Sequence, residues 1–177
     1  MKKSIYTLVL ALALSISSNV HAGEVSDIEM ASSRRPNSGN PMSYANFYSH
    51  QLQMGIGPNQ IVQLTDMGAN NDRRYRMSAN GGFIVPFSGN YLISYRVVVN
   101  SQISLALYEN EDILSESAFT NTGIAPIEGN VIVSLTKNDV ISIRSIEIAK
   151  SFNTVISVSS SVPTIPVAVT VQFLDRM

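Results

Sequence analysis

The feature that most constrains the fold is a succession of short apolar runs that extends from Tyr44 to Phe173. The runs are rich in Val, Ile, Tyr and Phe, and they are separated by Gly, Asn, Asp and Pro. Runs of this kind are typical of β-strands, and their regular recurrence is typical of a sandwich or barrel. Because no segment combines ten residues of helical apolar periodicity with helix caps, the sequence predicts an all-β domain.

Turn residues between the runs place the individual strands. We predict strands at residues 44–52, 61–64, 75–78, 83–86, 91–99, 103–108, 113–114, 131–135, 140–143 and 167–173. Hairpin loops are expected at residues 109–112 and 136–139, and Asn138 in the second loop can take a left-handed backbone conformation at low cost. Two of the connections are therefore predicted to be tight hairpins.

The stretch FSGNYLISYRVVVN, residues 87–100, is mostly apolar on both of its faces. One face carries Tyr91, Ile93, Tyr95, Val97 and Val99, and the other carries Leu92, Ser94, Arg96 and Val98. A strand with one face in a core and the other in water has a more polar second face than this. We therefore expect something other than water to cover the face that includes Arg96.

The first 22 residues have the order of a secretory signal peptide. Lys2 and Lys3 precede an apolar run from Ile5 to Leu14, and a polar stretch ends at Ala22. This order predicts export with cleavage after Ala22. A membrane anchor is the weaker alternative, because the run is about half of the roughly 20 residues that a spanning helix needs. We expect a secreted or cell-surface protein with no transmembrane segment after cleavage; a periplasmic location stays open.

Residues 23–43 have the composition of a linker. They lack strand or helix periodicity and collect Ser, Asn, Gly, Pro and a pair of arginines, which predicts a flexible connection. An ordered first strand is the alternative, but Pro36 and Pro41 would interrupt its hydrogen-bond ladder. The remaining residues, 44–177, are then expected to form a single domain.

Composition restricts the partners of this domain. Without residues 1–22 the chain has ten basic and 13 acidic side chains, a net charge of −3. A mildly acidic chain without a basic block gives no electrostatic case for binding nucleic acid. The sequence contains no cysteine, so its stability must come from core burial or from assembly rather than from disulfides.

Aliphatic, aromatic, Gly and Asn residues follow one another in a particular order along the predicted strands, namely Leu64, Asn70, Tyr75, Phe83, Gly89, Tyr91, Ile93 and Tyr95. This order resembles the signature of the complement C1q and tumour necrosis factor superfamily. Leu64 and Ile93 stand where Phe is usual, and the interval from Tyr75 to Phe83 is one residue longer than usual. YANFY, GNVIVSLTKNDVISI and VAVTVQF are similar to strands of bacterial members, the heads of collagen-like surface and spore-coat glycoproteins, although no Gly-X-Y stalk is present.

The resemblance covers about residues 44–174 and implies a two-sheet jelly-roll sandwich that assembles as a homotrimer. In this family the strand that begins at Gly89 belongs to the sheet facing the threefold axis, which implies a trimer interface containing Leu92, Ser94, Arg96 and Val98. An unpaired charge in a partly dry interface is costly, so Arg96 is expected to have an acidic or carbonyl partner there. Alternatively, its stem lies on apolar surface and its head reaches water.

The residues provide no catalytic constellation. A cupin-type metal centre needs two or three clustered histidines, but His50 is the only histidine after the signal peptide. No Gly-X-Ser-X-Gly motif surrounds Ser49, and residues 55–58 lack the Lys and helix of a phosphate-binding loop. His50 is better explained as a strand-end or interface residue. We therefore expect a protein that is not an enzyme and has no cofactor.

Two charged clusters remain as candidate sites. Arg73, Arg74 and Arg76 lie near a predicted loop, and threefold symmetry would multiply them into a ligand patch for sulfate or carboxylate groups. An exposed turn with solvated charges is the simpler alternative. Oxygen ligands that suit calcium surround a predicted hairpin loop, namely Glu109, Glu111, Asp112 and Glu116. They lack the regular spacing of a calcium loop, so a solvated hairpin tip is favoured.

The sequence thus predicts a secreted or surface-exposed trimeric module for binding or adhesion, which recognises an extracellular protein or glycan with threefold avidity. The alternative is a structural surface subunit, such as a pilus or coat building block. Against a donor-strand pilin, residues 23–43 lack an alternating apolar pattern and residues 173–177 lack the penultimate Tyr typical of such subunits.

Overall fold

A computed structural model describes residues 43–156 and 164–176 of the chain. The predicted signal peptide, and the predicted linker up to residue 42, lie outside the described residues. The described part begins at Ser43, which is buried and whose carbonyl accepts a hydrogen bond of 2.8 Å from the backbone N–H of Phe173. Within the described ranges, no helix is long and apolar enough to cross a membrane.

The described residues form twelve β-strands and one turn of 3-10 helix at Ser115–Ser117. The strands are β1 Tyr44–Ser49, β2 Ile61–Val62, β3 Asp66–Met67, β4 Arg76–Met77, β5 Phe83–Ile84, β6 Gly89–Val98, β7 Ser104–Glu109, β8 Asp112–Ile113, β9 Phe119–Thr120, β10 Pro126–Leu135, β11 Val140–Ser145 and β12 Val167–Asp175.

The strands pair into two antiparallel sheets. The five-stranded sheet has the order β10-β6-β12-β1-β3. The seven-stranded sheet has the order β4-β5-β11-β7-β8, with β2 also paired to β11 and β9 also paired to β7. Both sheets combine strands that are distant in sequence, as jelly rolls do. The prediction of an all-β, two-sheet jelly-roll sandwich is confirmed.

The core lies between the sheets, where alternate residues of the long strands meet. From the five-stranded sheet, β6 buries Tyr91, Ile93, Tyr95 and Val97, and β10 buries Ile127, Val131, Val133 and Leu135. From the other sheet, β7 and β11 bury Leu105, Leu107, Ile141 and Ile143. Phe47 of β1 stacks on Phe83 of β5 with ring centroids 4.8 Å apart. The period-two burial of β6 explains the alternation in its sequence.

Buried tyrosine hydroxyls brace the turns around this core. The Tyr91 hydroxyl donates to the Phe87 carbonyl at 2.7 Å and accepts from the Phe87 N–H at 3.2 Å. The Tyr95 hydroxyl donates to the Ser117 carbonyl at 2.7 Å. Burial raises the pKa of Tyr91 to about 12, and it also raises the pKa of Tyr95. Both side chains therefore stay neutral and hold the loops that they contact.

Two positions show why particular residues are needed in the turns. Asn138 has a φ of +75°, as its sequence context predicts, and it lies in the tight turn between β10 and β11. Gly89 has a φ of +153°, and a Cβ atom there would lie only 2.1 Å from the carbonyl oxygen of Asp175. A side chain at residue 89 would thus displace β12 from the start of β6.

The structure differs most from the strand predictions at four elements. The two-residue strands β3 and β9 were not predicted, β1 ends at Ser49 rather than at residue 52, and β10 begins at Pro126 rather than at residue 131. Among the signature residues, Leu64, Tyr75 and Phe83 are buried, whereas Asn70 is exposed. The neighbouring Asn71 contacts β1 instead: its side chain accepts from the Asn46 N–H at 2.9 Å and donates to the Asn46 carbonyl at 2.8 Å.

Candidate functional site

The first candidate surface is the side of the five-stranded sheet that points away from the core, which we call the outer face. Cross-strand register defines its members: Pro126, Glu128, Asn130 and Ile132 of β10; Leu92, Ser94, Arg96 and Val98 of β6; Ala168, Thr170 and Gln172 of β12; and Tyr44, Asn46 and Tyr48 of β1. The four residues predicted at a trimer interface therefore share one surface, along the strand next to the edge strand β10. Their contact with another subunit stays a prediction.

The outer face is a mixture of apolar and small polar side chains. Ile132 is 64% exposed, although it lies directly across from Leu92. Tyr44 of β1, on the same face, is also exposed. Contiguous apolar groups on a monomer surface mark interaction sites more often than scattered ones do. The apolar character of the second face of β6 therefore continues onto β10, where Ile132 lies beside Leu92 and Pro126 beside Val98.

Arg96 has an acidic partner on the outer face. Its Nε lies 2.9 Å from Oε1 of Glu128, the residue directly opposite on β10. The two side chains are 48% and 62% exposed in the single chain, so the pair contributes no more than about 1 kcal/mol there. The partner belongs to the same chain, and sequence analysis missed it because Glu128 precedes the predicted start of β10.

The second candidate surface is a shallow depression of about 390 Å³, which we call the basic depression. Arg73, Arg74 and Arg76 line it, as does Lys137 from the turn between β10 and β11. Its other lining residues are Ile84, Val85, Pro86, Phe87 and Asn138. The structure thus brings together the three arginines that the sequence singled out and adds a fourth cation that the sequence reasoning did not include.

Arg74 is fixed in the depression by its neighbours. Its Nε and Nη2 donate to the Asp72 carboxylate at 2.9 and 2.5 Å, and its guanidinium carbon lies 4.4 Å from the centroid of the Phe87 ring. Asp72 also accepts a hydrogen bond of 2.7 Å from the Ser43 hydroxyl. Hydrogen bonds from Arg74 and Ser43 hold the pKa of Asp72 well below its usual range. The ion pair with Asp72 and the contact with the Phe87 ring therefore hold the Arg74 guanidinium in one position.

Hydrogen bonds from the loop before β6 place Lys137 beside the arginines. The Asn138 N–H donates to the Val85 carbonyl at 2.9 Å, and the Val85 N–H donates to the Asp139 carbonyl at 3.1 Å. The Lys137 N–H donates to the Ser88 hydroxyl at 2.9 Å. The sequence predicted that Lys137 lies at the tip of a hairpin. Its position beside the arginines follows only from the hydrogen bonds between that turn and residues 85–88.

The acidic hairpin between β7 and β8 does not gather its carboxylates around one point. Glu111 forms a two-pronged ion pair with Arg144, with Nη1 to Oε2 at 2.8 Å and Nη2 to Oε1 at 3.2 Å. Arg144 is buried, and its Nη2 also donates to the Asn110 carbonyl at 3.0 Å. This contact with Arg144 lowers the pKa of Glu111. Glu111 therefore compensates a buried cation of its own chain.

Glu109 interacts with Asp139 rather than with the other hairpin carboxylates. A hydrogen bond with Asp139, together with burial, raises the pKa of Glu109 to about 7. Burial also raises the pKa of Asp139, but hydrogen bonds from Glu109, from the Thr136 N–H at 2.6 Å and from Asn110 at 3.2 Å outweigh this and lower it. Glu109 is therefore the carboxyl of this pair that keeps its proton to the higher pH, and Asp139 is the one that ionises first.

The remaining candidates are separate from these pairs. Glu116 lies in the 3-10 turn, whereas Asp112 lies on β8. In residues 43–156 and 164–176, no group of three or more His, Asp or Glu side chains is placed to hold a metal ion. His50 follows the end of β1, and its ring contacts that of Tyr48 at 5.0 Å. Its location is that of a strand-end residue, and the adjacent Ser49 is buried.

Comparison with known proteins identifies the fold. No family model matches the chain, and no curated protein matches its sequence. Among solved structures, Eiger TNF from S. frugiperda superposes with a TM-score of 0.55 at 15% identity, covering 77% of this chain and 95% of its own. The globular domain of the zebrafish complement 1qA protein superposes with a TM-score of 0.51 at 15% identity, covering 75% and 96%. The chain therefore has the fold of tumour necrosis factor and C1q head domains.

Proposed function

We propose that this C1q/TNF-like jelly roll is an exported, trimeric recognition head that binds a protein or a glycan and catalyses no reaction. In this proposal residues 1–22 direct export, residues 23–43 connect, and residues 44–177 recognise the ligand. The location is the outside of the cell, either secreted or on the surface. The closer resemblance to bacterial collagen-like glycoproteins remains a prediction.

One observation carries the proposal: the outer face of the five-stranded sheet carries apolar side chains along β6 and the edge strand β10. Leu92, Val98 and Ile132 are half-buried or exposed there, with no element of the described chain packed over them. Covering the remaining surface of such side chains stabilises by roughly 1 kcal/mol each. Three subunits that contact one another through this face would each bury several of them, against an association cost of about 4–15 kcal/mol.

Trimer formation suits recognition because it multiplies sites without new contacts. Three copies of one loop surface, held rigidly at fixed spacing, bind a repetitive ligand with avidity that exceeds the affinity of each copy. The described residues contain no metal cluster, and their only histidine is an exposed residue at a strand end. These observations favour binding over catalysis.

The fold argues against a donor-strand pilin. Donor-strand subunits resemble sandwiches that lack a strand and receive it from a neighbour. Here β12 lies between β6 and β1 and pairs along both, so the chain completes its own sheet. A structural coat subunit built from trimers would still share the outer-face contact, and the test below separates it by its assembly size.

The experiment is sedimentation of the purified protein, combined with mass spectrometry of its N-terminus. We expect a discrete particle with three times the chain mass and an N-terminus at Gly23. A particle that remains monomeric at micromolar concentration would refute the trimer. Open-ended polymers would favour the structural subunit, and an intact Met1 on protein recovered from outside the cell would contradict cleavage after Ala22.

A further inference from the structure

We propose that the basic depression binds the sulfate or carboxylate groups of an acidic polysaccharide. This assignment gives a ligand class to the recognition role proposed above and rests on it. The depression lies where the loop before β4, the loop before β6 and the β10–β11 turn converge. The positive charge that it offers to a ligand depends on which of its four cations are already paired within the protein.

Three of the four cations are available to a ligand. Arg74 is paired with Asp72, whereas Arg73, Arg76 and Lys137 have no carboxylate within ion-pair distance in the described part of the chain. All three are exposed. The depression therefore presents about three uncompensated positive charges although the protein as a whole is slightly acidic. Guanidinium groups bind sulfate and carboxylate oxygens with paired, charge-assisted hydrogen bonds.

The fourth cation, Arg74, is a preorganised donor. Asp72 engages its Nε and Nη2, and the Phe87 ring lies against its plane. Within residues 43–156 and 164–176, its Nη1 makes no hydrogen bond to the protein. Tyr91 in turn fixes Phe87 through two hydrogen bonds to its backbone. A donor held in this way loses little conformational entropy when an anion binds.

The surroundings favour a polysaccharide over a lipid surface. Membrane-binding surfaces combine cations with exposed apolar side chains that insert between lipids. The apolar residues that line the depression are Ile84, Val85, Pro86 and Phe87, and none of them is among the exposed large apolar side chains of the described residues. A shallow, cation-lined depression without inserting side chains fits a linear chain that carries an anionic group every one or two sugar units.

The test measures binding of the purified protein to immobilised heparin, to polygalacturonate, and to vesicles of phosphatidylglycerol and phosphatidylcholine. The double variant Arg76→Gln/Lys137→Gln removes two of the available cations. Lys150→Gln/Arg176→Gln is its matched control, because it removes the same charge from exposed positions outside the depression. Heparin carries sulfate and polygalacturonate carries only carboxylate, so the two polymers identify the preferred anion.

We expect the wild-type protein to bind at least one polymer, with affinity that falls as salt rises. The depression variant should bind roughly tenfold or more weakly, and the control variant should match wild type. No polymer binding by wild type, or equal weakening in both variants, would overturn the proposal. Vesicle binding that depends on Arg76 and Lys137 without polymer binding would assign the site to lipid instead. Sedimentation of each variant separates these outcomes from failure of the trimer, because the depression variant should keep the wild-type mass.

Discussion

Replacing Leu92 with Glu tests the outer face most directly. Leu92 lies on this face, between Ile132 of β10 and Gln172 of β12. In the single chain it is partly exposed, so the new carboxylate can reach water and the monomer should lose only about 1 kcal/mol of folding free energy. Three such carboxylates around a shared axis would instead be desolvated together.

The effect on a trimer can be worked out per subunit. Each copy loses roughly 1 kcal/mol of apolar burial and desolvates a charge that has no partner, which adds at least about 2 kcal/mol. The association free energy of the trimer should therefore weaken by about 9 kcal/mol, which corresponds to a factor on the order of a million in its formation constant. At micromolar concentration the variant should sediment as a monomer.

Two further variants make this test decisive. Ile113→Glu introduces the same charge at a comparably apolar position, 43% exposed, on β8 of the other sheet, and it should remain a trimer. Ile132 also lies on the outer face, and it is so exposed that Ile132→Glu should not affect folding of the monomer. The Ile132→Glu trimer should dissociate as the Leu92→Glu trimer does. A Leu92→Glu protein that keeps the trimeric mass, or an Ile113→Glu protein that loses it, would refute the assignment of this face.

Three more predictions concern the fold and its hairpins. Gly89→Ala should lower the melting temperature and cost about 2 kcal/mol or more, because its Cβ would meet the Asp175 carbonyl at 2.1 Å; unchanged melting would mean that β12 can shift. The native pKa of Glu109 is about 7 and its ordinary value is 4.5, so the folded protein holds a proton that the unfolded chain releases and stability falls as pH rises through that window. Because solvent screens this partly exposed pair with Asp139, the free energy of unfolding should fall by only about 1 kcal/mol between pH 4.5 and pH 7. The Glu109→Gln variant should lose most of this pH dependence in thermal melts, and an equal pH dependence in the variant would contradict the raised pKa of Glu109. Millimolar calcium should leave the melting temperature unchanged, because the ion pair with the buried Arg144 already occupies Glu111. A heat of binding on calorimetric titration with calcium would overturn this.

The long strands could be predicted from sequence because each has one face in the core. In β6 and β12 every second residue is buried, and this produces the period-two pattern directly. The two-residue strands β3 and β9 cannot show a period, and they exist because β1 and β7 offer them backbone partners. Their positions follow from tertiary pairing rather than from local sequence.

The first half of β10 was missed for a different reason. At the position where alternation requires a large apolar residue, the chain has Gly129. The space is filled from outside the strand: a Cβ at Gly129 would lie 2.6 Å from the Phe119 ring and 2.7 Å from the Tyr95 ring. The side chains of β9 and β6 thus supply the missing volume, and a window along one strand contains no signal of that.

The candidate sites were predictable to the extent that their residues are neighbours in sequence. Arg73, Arg74 and Arg76 could be found as a cluster because they occupy one loop and the start of one strand. Lys137 and Glu128 could not be assigned, because each reaches its site through sheet register or through a turn docked on a distant loop. Local chemistry can be read along a chain, but the completion of a site depends on pairings that only the fold specifies.

The strand β10 connects the two candidate surfaces physically. Its outward residues, Glu128 and Ile132, lie on the outer face, and the turn that ends it carries Lys137 into the basic depression. Subunits that associate through the outer face would therefore hold three depressions at distances set by a rigid, ten-residue strand. A polysaccharide long enough to reach two depressions gains avidity from this arrangement, whereas a fragment that fills one gains none. Dissociation by Leu92→Glu should accordingly weaken binding of the polymer and leave binding of the fragment unchanged, because the residues of the depression lie outside the outer face.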